Sequence, residues 1–186
     1  AMVPVTVPRK AFPTTLGAHY VMRFTDYRGG QKTREYKEDT RLDKQNGDLL
    51  QYLVTSEVGG MKRISRIYIV MRPDGLWYRV TEPPLEKGKP THSTAGATLM
   101  FKFPMNTGDS WEMIMPQGSK AQRKVMGAET VTVPAGTFKA VRIQEQRAGT
   151  SGDSWFVPGV GVVKSDLSGA DGQFVKELLL FEPAKK

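Results

Sequence analysis

Two histidines, His19 and His92, are the only imidazoles in this chain of 186 residues, and there is no cysteine. Acid–base or metal chemistry therefore has to rest on them or on carboxylates. A zinc site takes three or four protein ligands, no His-x-x-x-His spacing occurs, and thiolates are absent, so neither a metal nor a cofactor is expected. His19 alternates with Tyr20 at a strand start and reads as a surface residue. His92-Ser93-Thr94 lies in a polar connection, where a serine nucleophile would still need an orienting acid and an oxyanion hole; no G-x-S-x-G elbow is present. Carboxylate pairs for glycoside hydrolysis need closeness in space rather than in sequence, and nothing singles out a pair. DLSGADG, residues 166–172, resembles a calcium loop until Ala170 falls where an oxygen ligand belongs, so a hairpin turn is expected there. Gly159-Val160-Gly161 follows a proline and feeds a strand, which is no phosphate loop at a helix N-terminus. No catalytic residue is assigned, and the chain reads as a non-enzyme.

The formal charge of +8 points toward an anionic partner such as nucleic acid, lipid or glycan. The basic residues are interleaved with acidic ones, above all over residues 28–44, which reads as a solvated strand face. Pairs such as Tyr27-Arg28, Tyr36-Lys37 and Tyr78-Arg79 suit a nucleic-acid surface, but any antiparallel sheet with boundary tyrosines has them, so nucleic acid is not the expected partner. No apolar run approaches the roughly 20 residues of a membrane-crossing helix.

The elements that would position any site are strands. Residues 1–15 carry three prolines and read as an extended lead-in, tolerated at a sheet edge. Tyr20, Met22 and Phe24 then alternate with Val21, Arg23 and Thr25 on the way to Gly29-Gly30, and turns follow at Asn46-Gly47, Gly59-Gly60 and Pro73-Asp74-Gly75. Connections this short make an antiparallel meander. A polar, proline-rich connection over residues 83–96 separates two halves, 12–82 and 97–181, of one β domain spanning 16–183. Phe12-Pro13 with Gly17, Tyr20 and Met22 matches Phe103-Pro104 with Gly108, Trp111 and Met113 at identical spacing, which suggests that the halves are a duplication. The second half continues through Val133-Pro134-Ala135-Gly136 and Phe138, then Pro158-Gly159 and Gly161, read as a sharp corner and as a bulge or kink that curves the sheet. The expectation is an all-β, strongly curved antiparallel sheet of about eleven strands, a half-barrel, roll or barrel, with little or no helix.

A curved sheet cups a space. Tyr20, Met22, Phe24, Tyr52, Ile67, Met71, Trp77, Phe101, Trp111 and Trp155 are of the kind that lines an apolar ligand pocket, and of the kind that fills an ordinary core.

Val131-Thr132-Val133-Pro134-Ala135-Gly136-Thr137-Phe138, the pair Trp155-Phe156, and Pro158-Gly159-Val160-Gly161, with Gly108-Asp109-Ser110-Trp111, resemble the TapB-like and related uncharacterised domains of bacterial envelope proteins and lipoproteins. The resemblance covers residues 97–181 well and the first half loosely. It implies a bent sheet similar to the half-barrels of the LolA and LolB lipoprotein carriers, in the periplasm or at the outer membrane. The sequence shows no leader and no cysteine for lipid attachment, so location rests on the resemblance. Together these readings give a non-enzymatic envelope protein that binds an apolar or amphipathic ligand on its concave face, with basic residues at the rim favouring anionic headgroups. The alternative is a structural or adaptor module that binds another envelope protein or a glycan through a sheet edge or face.

Overall fold

The computed structural model of the protein describes residues 2–14 and 16–184. Fourteen strands and one short 3-10 turn (Arg9–Ala11) account for its regular structure. Outside the lead-in strand β1 (Thr6–Val7) come β2 (His19–Arg28), β3 (Gln31–Asn46), β4 (Leu49–Val58), β5 (Met61–Arg72), β6 (Gly75–Arg79) and, past the connection over residues 83–96, β7 (Thr98–Lys102). After the short β8 (Met105–Asn106) come β9 (Ser110–Ile114), β10 (Lys120–Val133), β11 (Gly136–Arg147), β12 (Thr150–Val157), β13 (Gly161–Gly169) and β14 (Gly172–Glu182). Residues 177–181, apolar enough to suit a helix, are strand within β14.

Twelve strands form one antiparallel sheet in the order β7-β6-β5-β4-β3-β2-β14-β13-β12-β11-β10-β9, nearly closed into a barrel. β2–β7 and β9–β14 are two six-strand meanders, the first reaching past the connection over residues 83–96 to include β7. The first strand of one meander lies beside the last strand of the other at both junctions, but the junctions differ. Between β2 and β14 a backbone ladder runs from Tyr27↔Gln173 to His19↔Glu182. Between β7 and β9 side chains bridge the seam: the Thr98 hydroxyl donates to the Ile114 carbonyl at 2.6 Å, and Arg123 reaches from β10 to the Met100 carbonyl at 2.8 Å.

The two matched Phe-Pro segments occupy corresponding places. Gly17 and Gly108 both adopt left-handed backbone (φ 82° and 92°), a conformation that costs a side-chain-bearing residue energy, and a strand begins two residues after each. The Phe12 and Phe103 rings lie against the same two rings, Phe101 and Phe156, at centroid separations of 6.3–6.5 Å.

Pro134-Ala135 is the corner that joins two strands, the tight turn of the β10–β11 hairpin, with Val133 opposite Gly136. One motif expectation shifts: Pro158-Gly159 is also a hairpin turn, between β12 and β13, and not a kink within one strand; the bulge lies just before it, at Trp155/Phe156. A second bulge, at Val125/Gly127, bends β10 where the lead-in crosses it. A side chain on Gly127 would meet the Val3 carbonyl oxygen at 2.9 Å, so the close crossing requires glycine.

One end of the barrel carries the turns β3–β4, β5–β6, β10–β11 and β12–β13; the other carries the tips of the hairpins β2–β3, β4–β5, β11–β12 and β13–β14. The lead-in enters the first end. Val5, Val7, Ala11 and Phe12 pack into an interior cluster with Leu42, Leu50, Ile69, Leu76, Phe103, Met105, Val125, Ile143 and Phe156. That end is filled.

Candidate functional site

Because side chains alternate across a strand, neighbouring residues enter different environments. Tyr52, Phe101 and Trp111 lie in the filled interior cluster with Ile67 and Met71 packed against it. Met22 and Phe24 belong to a second cluster, with Tyr20, Trp155 and Phe138 at its margin, where the β10–β11 turn reaches β14 through a hydrogen bond from the Ala135 N–H to the Leu178 carbonyl. Trp77 packs on the opposite sheet face with Leu49, Tyr68 and Val70. The ten residues that could have lined one concave pocket are thus divided among three clusters. None of the ten lines the large cleft described next. The physical reason is that the Phe-Pro segments and the lead-in supply apolar residues that occupy the space which a bare curved sheet would leave open.

The cleft, of about 920 Å³, opens between the hairpin tips at the second end. Asp26, Arg28 and Arg34 of the β2–β3 hairpin, Arg147 and Thr150 of β11–β12, and Leu167 and Phe174 of β13–β14 form its walls. Leu167 and Phe174 are cross-strand partners and give it an apolar patch. The Arg34 guanidinium donates to Asp26 at 2.7 Å. Arg28 and Arg147 add positive charge.

Deeper in, the lumen is polar rather than apolar. Glu145 is 1 % exposed and accepts from two arginines, Arg123 at 2.9–3.0 Å and Arg147 at 2.5 Å. Burial pulls the Arg123 guanidinium below its ordinary pKa, and Glu145 opposes that pull. Two residues inward from Phe174 on the same face of β14 is Lys176, whose ammonium lies 5.3 Å from the centre of the Phe24 ring. Burial also lowers the Lys176 pKa, with Glu38 of β3 opposing and Arg123 reinforcing the shift. Glu38 and Lys176 flank β2 on its two sides, on β3 and β14, whereas Arg123 on β10 lies four strands from β14 in the sheet order. Burial raises the Glu38 carboxyl and the Tyr20, Tyr36, Tyr52 and Tyr78 hydroxyls. Beside Lys176, its cross-strand partner Ser165 faces Ser154, with the two hydroxyl oxygens 2.9 Å apart and buried.

Sequence reasoning assigned neither Glu145 nor Lys176. The available signal was the alternation itself: Arg123, Glu145, Lys176 and Glu38 share a strand face with buried apolar residues such as Val125, Ile143, Leu178 and Leu42.

Both histidines pair with carboxylates. His19 is buried, not on the surface, because Asp39 at 2.6 Å and Glu182 at 3.2 Å engage its two ring nitrogens across the strand ends of β2, β3 and β14. His92 Nδ1 meets Asp48 at 2.6 Å, and Arg72 donates to the His92 carbonyl and to Glu86. This network latches the connection over residues 83–96 onto the β3–β4 turn. Neither ring borders the cleft. Among the described residues no group of three or more His, Asp or Glu side chains is arranged to hold a metal, and no helix is long and apolar enough to cross a membrane.

Antiparallel sheet, a filled end and a polar open end define an all-β barrel-like class, and comparison with known proteins gives it relatives. Residues 97–180 match a family model described as DUF3108-like. No curated protein matches in sequence. A candidate lipoprotein of Parabacteroides distasonis superposes with a TM-score of 0.55 at 14% identity, over 92% of this chain and 98% of its own. A candidate exported protein of Bacteroides fragilis with a YmcC-like fold superposes with a TM-score of 0.56, also at 14% identity, over 96% and 100%. At that identity the likeness is one of fold.

Proposed function

We propose that this chain is a non-enzymatic protein of the bacterial envelope that holds an amphipathic, lipid-like ligand beneath the open end of its barrel. The observation that carries the reading is the division of the interior, with one end packed solid and the other left as a cleft of about 920 Å³ with Leu167 and Phe174 in its walls. Small-molecule sites favour the mouths of β-barrels, where apolar walls meet a few placed polar groups. Arg28 and Arg147 at the rim favour an acidic headgroup. The folds shared with a candidate lipoprotein and a candidate exported protein support the envelope, and the resemblance to TapB-like domains and to the LolA and LolB carriers supports a periplasmic or outer-membrane setting.

Native mass spectrometry of protein purified from bacterial envelopes tests the reading. A lipid-mass adduct is expected on the wild type and is expected to be lost from the double variant Leu167→Asp/Phe174→Asp. Protein that carries no adduct and takes up no added lysophospholipid would overturn it.

A second reading, an adaptor that binds an envelope protein or glycan, is favoured by the β4–β5 hairpin. β5 pairs with β6 only from Tyr68 onward, which leaves residues 61–67 with an open edge. Lys62, Arg63 and Arg66 on that edge deter pairing between copies, whereas Met61 and Ile64, 76% and 62% exposed, do not. Crosslinking from position 64 in envelope extract is expected to capture a partner on this reading. A hairpin that captures nothing, beside a cleft that retains lipid, would remove it.

A further inference from the structure

We infer that Lys176, with the Ser154–Ser165 hydroxyl pair beside it, forms a site for a single acid group, a phosphate or a carboxylate, two residues inward of the cleft wall at Phe174 and below the residues that line the cleft itself. The inference rests on the cleft being a ligand site and names the chemistry it reads. Among the enclosed charges of this region Glu145 binds both Arg123 and Arg147. Lys176, like Glu38, has neither an ion-pair partner nor a hydrogen-bond partner among the described residues. Glu38 influences it through space without touching it.

An ammonium enclosed without a partner is costly, because its hydration is lost and nothing replaces it. The Phe24 ring returns about 0.5–2 kcal/mol as a cation–π contact, less than an enclosed charge requires. A methionine or leucine on the same strand face would pack on Phe24 without the charge. The ammonium also remains reachable, because the one occluded side-chain donor that lacks a partner among the described residues is Trp111 Nε1, not Lys176 Nζ. A half-buried ammonium that remains reachable is the situation of a group that faces a lumen.

The surroundings are complementary to an acid group. Lys176 lies roughly 7 Å below Phe174, two residues along the strand, so an acid group on Lys176 leaves an attached chain directed past Phe174 and Leu167 toward the mouth. The Ser154 and Ser165 hydroxyls can donate to its oxygens. Glu38 from β3, Arg123 from β10 and Phe24 from β2 complete the surroundings. The Glu38 carboxylate repels a second negative charge, which favours a monoanion such as a phosphodiester or a carboxylate over a dianion.

Binding of dihexanoyl phosphatidylglycerol, dihexanoylglycerol and inorganic phosphate, followed by calorimetry and by the Lys176 side-chain NMR signal, separates the possibilities. The wild type is expected to prefer the acidic lipid over the neutral one by about tenfold, the scale of one charge-assisted hydrogen bond, and the Lys176 signal is expected to move. Lys176→Met should level the two lipids, and Lys176→Arg should preserve the preference. A preference that survives in Lys176→Met, or an unmoved Lys176 signal with acidic lipid bound, overturns the inference. If both lipids bind equally, the lipid reading stands and this site falls. If phosphate moves the Lys176 signal and neither lipid binds, the acid-group site stands for a free anion and the lipid reading falls.

Discussion

The two ends of the barrel are built from the same twelve strands and have opposite interiors. At the filled end four phenylalanine rings, Phe12, Phe101, Phe103 and Phe156, meet within 5.3–6.5 Å of one another. At the open end the inward positions carry Arg123, Glu145, Arg147 and Lys176. Strand alternation is the same at both, so it does not cause the difference. The cause is what enters from outside the sheet: β1, the 3-10 turn and β8 bring Val7, Phe12, Phe103 and Met105 into one end, and no corresponding segment among the described residues enters the other. A barrel of this size becomes half core and half lumen by where its non-sheet segments go.

The largest effect should come from removing a ring at the filled end. Phe156 is fully buried among three other rings, so Phe156→Ala is expected to cost about 3–5 kcal/mol, measured by denaturant unfolding. A cost under about 1 kcal/mol would mean that this end is as loosely occupied as the other. Next is Glu145→Gln at the open end. Breaking one side of a buried ion pair leaves the remaining charge uncompensated, at about 3 kcal/mol or more, and Arg123 here also closes the seam through Met100. If Glu145→Gln unfolds like the wild type, water already solvates Arg123 and the lumen is wetter than its geometry implies. A smaller loss, roughly 1–2 kcal/mol, is expected for Trp155→Ala. Trp155 is only partly buried; it holds Glu129 by its indole N–H at 2.7 Å and lies under the Lys164 ammonium. A loss equal to that of Phe156→Ala would place it in the core after all.

That ranking shows what the sequence made legible. Turn residues at Gly29-Gly30, Gly59-Gly60 and Pro73-Asp74-Gly75 mark hairpins because their chemistry is local, and the meander followed from them. The count fell short, eleven against twelve in the main sheet, because Pro158-Gly159 turns the chain where one interrupted strand was expected. Trp155 and Phe156 are indistinguishable by composition; which of them points inward depends on a bulge between them, and a bulge has no reliable local signature. The site was less legible still. Large apolar residues draw attention, yet these fill the core, and the groups that mark the lumen are charged residues scattered over four strands, β3, β10, β11 and β14. Only the closure of the sheet brings them together.

The smallest effect is the most specific to the open end. Enclosure holds the Lys176 pKa below its ordinary value. Between that lowered value and the ordinary lysine value near 10.4, the unfolded chain binds more protons than the folded one. Stability therefore rises with pH across that window, and the penalty for enclosing the charge is fully present below it. Thermal unfolding of the ligand-free wild type and of Lys176→Met, compared from neutral to alkaline pH, should show the variant ahead at neutral pH and the gap narrowing as pH rises. Glu38, whose carboxyl burial raises, and the Arg123 guanidinium both face Lys176. A gap that stays constant with pH would mean that Lys176 is hydrated like a surface lysine, and the two ends would then differ in shape alone. A gap that closes on adding acidic lipid at neutral pH would show the enclosed charge being satisfied by ligand.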